Sequence, residues 1–170
     1  MRIIWILRHA FAIAVLPATM TIFIPMWVMR RNASAFRLPE APIDWLCAIA
    51  GVVFFVVGIV LFVATLFLFA SRGRGTLAPW DPPARLVVAG PYRYVRNPMI
   101  AGVILMIMSE ALILRSLALA EWAALFLLIN AIYFPLLEEP QLEARFGDEY
   151  RRYKRHVRRF IPRLRPWNPV

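Results

Sequence analysis

Apolar residues in this chain come in long uninterrupted runs. Residues 10–29 form a stretch of 20 without a charge, and residues 45–70 a stretch of 26. A helix needs about 20 apolar residues to cross the hydrocarbon core of a bilayer, so each run predicts one span. At about 1.5 Å per residue the second is longer than the core, so it tilts or reaches into the headgroups. The region 99–137 is too long for one span and suits two, with Arg115-Ser116 breaking it near the middle. It reads as a tight hairpin of helices 99–114 and 117–137.

Two polar regions remain. Residues 71–98 are rich in proline and glycine, which disfavours a long helix there. In 138–170, Leu142, Phe146, Tyr150, Tyr153, Val157 and Phe160 recur at helical spacing, while Arg151, Arg152, Lys154, Arg155, Arg158 and Arg159 fall opposite. Pro140 can begin this helix and Pro162 can end it. A basic amphipathic helix beside a membrane lies on anionic lipid, or docks over a polar site. The fold class expected is therefore an all-α integral membrane protein. It is one membrane domain over 1–170, with four transmembrane helices and a C-terminal amphipathic cytoplasmic helix.

Composition supports the class. The chain is 61% apolar with a formal net charge of +10, too apolar for a soluble domain and for disorder. The single Cys47 excludes an internal disulfide framework. The arginines and lysines orient the spans: two precede the first span, five lie between the second and third, and nine follow the fourth. Three and one fall on the other side. The positive-inside rule puts both termini in the cytoplasm. A signal peptide cleaved at Ala33-Ser34-Ala35 is the competing reading of the N-terminus, but its apolar run is too long and arginines separate it from the site. The charge marks a membrane face and carries no reading as a nucleic-acid partner.

Few residues carry chemistry. Gly73 to Ala78 spell a dinucleotide-loop pattern, which means nothing without a strand before it and a helix after it. Asn97-Pro98 is a favoured helix start. Gly102 just inside that helix permits close approach of another helix or a ligand. Glu138 and Glu139 stand at the expected end of the fourth span, where the helix dipole disfavours carboxylates. Either nearby arginines such as Arg93, Arg96 or Arg145 pair with them, or a cationic ligand does. Glu110 and Glu121 flank the hairpin turn and either pair with Arg115 or reach water. Asn130 is placed to bridge helices. His9 and His156 have no companion at metal-ligand spacing, so no metal is expected, and no nucleophile–histidine–acid set is supported.

In combination these pieces resemble a known family. The run Gly90-Pro91-Tyr92-Arg93-Tyr94-Val95-Arg96-Asn97-Pro98 is similar to the G-x-Y-x-x-x-R-H-P-x-Y signature of isoprenylcysteine carboxyl methyltransferases and related phospholipid methyltransferases. The hairpin follows it, then Glu138-Glu139, then Arg145-Phe146-Gly147-Asp148-Glu149-Tyr150 and Tyr153, similar to the family's paired-glutamate, F-G-x-x-Y-x-x-Y ending. The resemblance covers about residues 80–165. It implies a binding site for S-adenosyl-L-methionine at the cytoplasmic membrane surface, built without a Rossmann domain. By position, the implied cofactor contacts are Arg85, Leu86, Val87, Tyr92, Asn97, Pro98, Met99, Ile100 and Glu138. For such a cofactor and acceptor the catalytic residues expected are Glu139, the best-placed acceptor of a proton from an amine or thiol, and Arg96, which with the helix N-terminus at Pro98 as the alternative suits the cofactor carboxylate. Asn97 stands where the best-known members have His, and Ile100 where they often have Tyr. Phe134 stands where the prenylcysteine enzymes carry an arginine, which speaks against that acceptor.

The function expected is methyl transfer to a lipophilic small-molecule or lipid-modified acceptor entering from the bilayer, with membrane lipids as surroundings. Two alternatives are a small membrane protein whose basic tail binds lipid or a partner, and an NADPH-dependent membrane reductase of related helical fold. The reductases are generally larger, with more spans.

Overall fold

A computed structural model describes Val15 and residues 17–32, 38–73 and 84–168, and among these there is no strand. A π-helical turn, Thr19–Phe23, leads into helix α1, Ile24–Arg31. Helix α2 is Pro42–Leu68 and runs on into a second π-helical turn, Phe69–Gly73. A short 3-10 turn, Gly90–Arg93, precedes α3, Pro98–Ile113. Helix α4, Leu117–Tyr133, passes through a third π-helical turn, Phe134–Glu138, into α5, Glu139–His156. Several sequence readings lie outside the described residues: the start of the first expected span, Arg2, Arg8, His9, Ala33-Ser34-Ala35, and Gly75 to Ala78.

Two helical runs are long and apolar enough to cross a membrane by length and composition, Pro42–Gly73 and Leu117–His156. The apolar part of the second ends at Leu137. Pro98–Ile113 is apolar but shorter. The outward face of α2 leaves Val52, Val53, Val56, Val60 and Val63 more than half exposed. A helix apolar all round with one face bare fits contact with lipid.

The helices start and stop for local reasons. Asp44 accepts hydrogen bonds from the Glu40 and Ala41 amides, both at 3.1 Å, and closes the first turn of α2. The Ser116 hydroxyl accepts from the Leu119 amide and opens α4. Between α3 and α4, Arg115 takes a left-handed conformation (φ 50°), uncommon for a residue with a side chain. Its guanidinium pairs with Asp44 at 2.7 Å, pinning the hairpin to the start of α2.

The core lies between α2, α3 and α4, where Phe62, Val103, Met106, Ile107, Ala123 and Phe126 cluster. Gly102 serves a neighbouring helix here. A Cβ on it would sit 2.8 Å from the Gly58 carbonyl oxygen, and one on Gly58 would sit 2.8 Å from that of Gly102. The two backbones therefore cross in direct contact, as small residues allow between apolar helices. Among the described residues Asn130 bonds within its own helix and does not bridge to another: its amide donates to the Phe126 carbonyl at 2.7 Å. The Trp122 indole reaches the Met20 carbonyl at 3.1 Å and ties the first helical segment to α4.

The C-terminal helix differs from expectation in two ways. It does not begin afresh at Pro140, because the chain stays helical from α4 through the π turn at Pro135. It also ends at His156, well before Pro162, with Val157 already extended (φ −117°, ψ 125°). A kink at Gly147 (φ 54°, ψ −128°) redirects it. Its apolar face is covered by protein: Tyr150, Tyr153 and Val157 are buried against Leu86, Val88 and Trp167. Phe160, the last member of the apolar spacing, lies beyond the helix.

Candidate functional site

The loop after α2 closes where Ala84 donates to the Gly73 carbonyl at 2.8 Å. From there the chain is extended, and its side chains alternate. Leu86 and Val88 pack on the α5 tyrosines, while Val87 and Ala89 pack with Tyr92 and Leu68. Gly90 takes a positive φ of 53° and turns the chain into the 3-10 turn. Tyr92 is buried there with its ring edge-on to Phe69 at 5.7 Å. The turn delivers Arg96, Asn97 and the start of α3 to the end of the helix pair.

A C-terminal strap, 158–167, lies over this loop. The Arg96 and Asn97 amides donate to the Arg158 and Arg159 carbonyls (2.9 and 3.3 Å). The Arg163 and Trp167 amides donate back to the Tyr94 and Arg93 carbonyls, both at 2.9 Å. From Arg93 through Tyr94 to Arg96 the partners recede from Trp167 through Arg163 to Arg158, so the two segments pass in opposite directions there, while Arg96 and Asn97 meet Arg158 and Arg159 in step. The Tyr153 hydroxyl adds a 2.7 Å bond to the Tyr92 carbonyl. Burial first, then charge repulsion with the Tyr153 phenol and with Glu138, push the Tyr92 phenol well above its ordinary range. Burial does the same to Tyr153.

Glu139 sits at the centre of these pieces and is 3% exposed. One oxygen meets Arg96 at 3.0 Å and Arg159 at 2.7 Å, and the other meets Lys154 at 3.0 Å. Lys154 also reaches Glu143 at 2.7 Å. Burial alone would raise the Glu139 carboxyl, but the Lys154 and Arg159 hydrogen bonds and the Arg96 charge outweigh it, and its net shift is downward. A carboxylate so engaged is a weak proton acceptor. It suits the holding of Arg96, whose guanidinium also touches the Tyr150 hydroxyl at 3.4 Å.

Glu138 is the opposite case. It has no hydrogen bond or ion pair among the described residues. Burial first, and the neighbouring Glu139 charge second, raise its carboxyl to about 7. Two further polar groups nearby are uncommitted. The Arg96 Nε is buried without a partner among the described residues. Asn97 occupies the N-cap position of α3, yet its side chain makes no capping bond.

The residues expected at the site therefore separate. Tyr92, Arg96, Asn97, Pro98, Glu138 and Glu139 come together. Arg85 is exposed at the edge, and Leu86 and Val87 contribute packing on either side of the extended segment. The Met99 and Ile100 side chains point into the interhelical core, so toward a ligand they offer backbone N–H groups of the first helical turn. Of the arginines named as partners for the glutamates, Arg96 takes part in the Glu139 cluster. Lys154 and Arg159 complete it; the sequence placed both on the cationic side of the C-terminal segment, with nothing to single them out from the other cations there.

The geometry fits a zwitterion with a separate cationic centre. A half-buried carboxylate without a partner among the described residues, Glu138, suits the cation. A buried guanidinium N–H and the open first turn of a helix suit an anionic carboxylate. A family model described as phospholipid methyltransferase matches residues 46–149. No curated protein matches the chain, and no solved structure does.

Proposed function

The chain belongs to the phospholipid methyltransferase family, and on that premise we propose that it transfers methyl groups from S-adenosyl-L-methionine to a lipophilic acceptor at the cytoplasmic surface of a membrane. The observation that carries the reading is Glu138, a half-buried carboxylate without a partner among the described residues, next in the chain to Glu139, which holds an arginine whose Nε is buried and also without a partner there. In this reading the protein crosses the membrane four times, with both termini cytoplasmic, as the distribution of arginines implies.

When bound, the cofactor supplies a methyl group made electrophilic by a sulfonium, which a nucleophilic acceptor takes by in-line displacement. Glu138 holds the cationic end. Arg96 and the first amides of α3, at Met99 and Ile100, hold the carboxylate end, with Asn97 beside them. Glu139 acts through Arg96: it fixes the guanidinium, and with Lys154 and Arg159 it fastens α5 and the strap over the loop. The strap and the buried tyrosines exclude water, which strengthens each of these charge contacts. A carboxylate acceptor needs no base. Phe134, buried between Tyr133 and Phe160, offers no cation to a prenylcysteine carboxylate, which favours a different lipophilic acceptor.

Direct binding of S-adenosyl-L-methionine to the detergent-purified full chain tests the reading, with Glu138→Ala as comparator. Saturable binding that the substitution weakens is expected. Absence of saturable binding, or binding indifferent to the substitution, overturns it. Mass spectrometry of lipids from cells with and without the protein then names the acceptor by its methylated product.

A further inference from the structure

The strap over the site has one side that no protein covers. Leu164 is 101% exposed and Ile161 is 61% exposed, although both stand in a segment fixed to the loop by backbone hydrogen bonds. Around them, Arg158 and Arg165 are exposed and their guanidinium groups have no partner among the described residues. The depth of the segment is set by Phe160. Its ring stands edge-on to Phe134 at 6.3 Å, and Phe134 lies one helical turn inside the apolar stretch that ends at Leu137. The strap therefore dips to the level at which the last long helix leaves the hydrocarbon. Apolar tips at that depth, flanked by unpaired arginines, match acyl chains beneath anionic phosphates. The apolar face of α5 is already used inside the protein, which leaves this surface to the strap.

We propose that residues 158–165 form an interfacial anchor that inserts Ile161 and Leu164 among acyl chains and sets Arg158 and Arg165 on the phosphates of an anionic bilayer surface. The same segment carries Arg159, which pairs with Glu139, so seating on the membrane and closure over the loop are one event. The inference goes beyond the proposed chemistry and does not depend on it.

The test uses the full chain in lipid nanodiscs of phosphatidylcholine, with and without phosphatidylglycerol. A fluorophore sensitive to polarity is attached at Leu164→Cys in a Cys47→Ser background. Blue-shifted emission, quenched by lipids brominated on their acyl chains and more strongly when phosphatidylglycerol is present, is expected. Arg158→Gln with Arg165→Gln should remove the dependence on lipid charge. Water-like emission without quenching in either bilayer overturns the proposal, as does a double variant that keeps the dependence. Hydrogen exchange of the unlabelled protein gives an independent reading. The Arg163 and Trp167 amides should exchange roughly fivefold more slowly, or slower still, in the anionic bilayer, the factor supplied by one arginine on such a surface. Equal exchange in both bilayers overturns the proposal. Neither readout involves methyl transfer, so each proposal fails on its own evidence.

Discussion

Replacing Glu138 by glutamine should stabilise the protein at alkaline pH while removing its grip on a cationic ligand. In the folded chain, burial first and the Glu139 charge second raise the Glu138 carboxyl from 4.5 to about 7. In the unfolded chain it titrates near its ordinary value. Between those two pH values the folded protein keeps a proton that the unfolded chain has released. Stability therefore falls as pH rises from about 4.5 to about 7, and stays low above. The gap corresponds to about 3 kcal/mol at about pH 8. Glutamine has the same shape and no charge, so it escapes this cost at high pH and gains little at or below pH 4.5, where the folded carboxyl is protonated and the unfolded one is protonated at least half the time. A gain of about 3 kcal/mol raises the unfolding midpoint of a chain this size by roughly 6–12 °C. Thermal unfolding of the detergent-solubilised chain across that pH range measures it. An equal gain at both ends of the range, or none at high pH, refutes the argument. The same substitution should weaken S-adenosyl-L-methionine binding by roughly 10- to 100-fold, the worth of a charged contact. Wild-type affinity should fall as pH drops through 7 and Glu138 takes up its proton.

The neighbouring carboxylate should behave in the opposite sense. Glu139→Gln leaves the Arg96 side chain, 9% exposed, without its counter-charge, and should cost about 3 kcal/mol in thermal unfolding at neutral pH. Adding Arg96→Met should recover part of that loss, because both buried charges are then gone. Its pKa is lowered on folding, so the stability that Glu139 contributes is full above its unfolded value of 4.5 and is lost as pH falls through the lower folded value. Gly102→Val drives a side chain into the Gly58 carbonyl and should cost about 1–3 kcal/mol by overpacking, visible as a lower unfolding midpoint. Tyr153→Phe strips the Tyr92 carbonyl of its 2.7 Å partner and should cost about 1–3 kcal/mol, with faster hydrogen exchange at Tyr94 and Val95 as the loop loosens.

The sequence announced the helices because an apolar run of span length has few other uses, and Arg115-Ser116 marked the hairpin turn that the structure shows. It also brought Arg96, Asn97, Pro98 and the two glutamates into one argument. What it missed has physical causes. Helical spacing reports that a face is buried and says nothing of what covers it, so the tyrosine face of α5 read either as lying on lipid or as docked over a polar site, and Leu86, Val88 and Trp167 occupy it. Phe160 continued the spacing by coincidence of register, since the helix ends at His156. Arg159 pairs with Glu139 across 20 positions of chain, a separation that no local pattern encodes. Asn97 has the composition of a cap, yet its side chain is left out of the capping bonds. Gly58 matches Gly102 across the helix crossing, and within a continuous apolar run nothing singles it out.

The pair Glu138-Glu139 also shows how two adjacent like charges come to coexist. A helix end would penalise both through its dipole, but the chain stays helical through the π turn into α5, so neither stands at a terminus. Consecutive helical residues point about 100° apart, which sends the two carboxylates into different surroundings. All three cations go to Glu139. Glu138 is left to burial, and at neutral pH it holds its proton about half the time. The repulsion is thereby eased without a partner for Glu138. In the proposed function, a cation arriving from outside would displace that proton and meet a full charge in a partly desolvated site. The cluster around Glu139 thus does more than fasten the strap: it engages Arg96, Lys154 and Arg159 and leaves the second carboxylate without an ion pair among the described residues, which is what the proposed ligand contact requires.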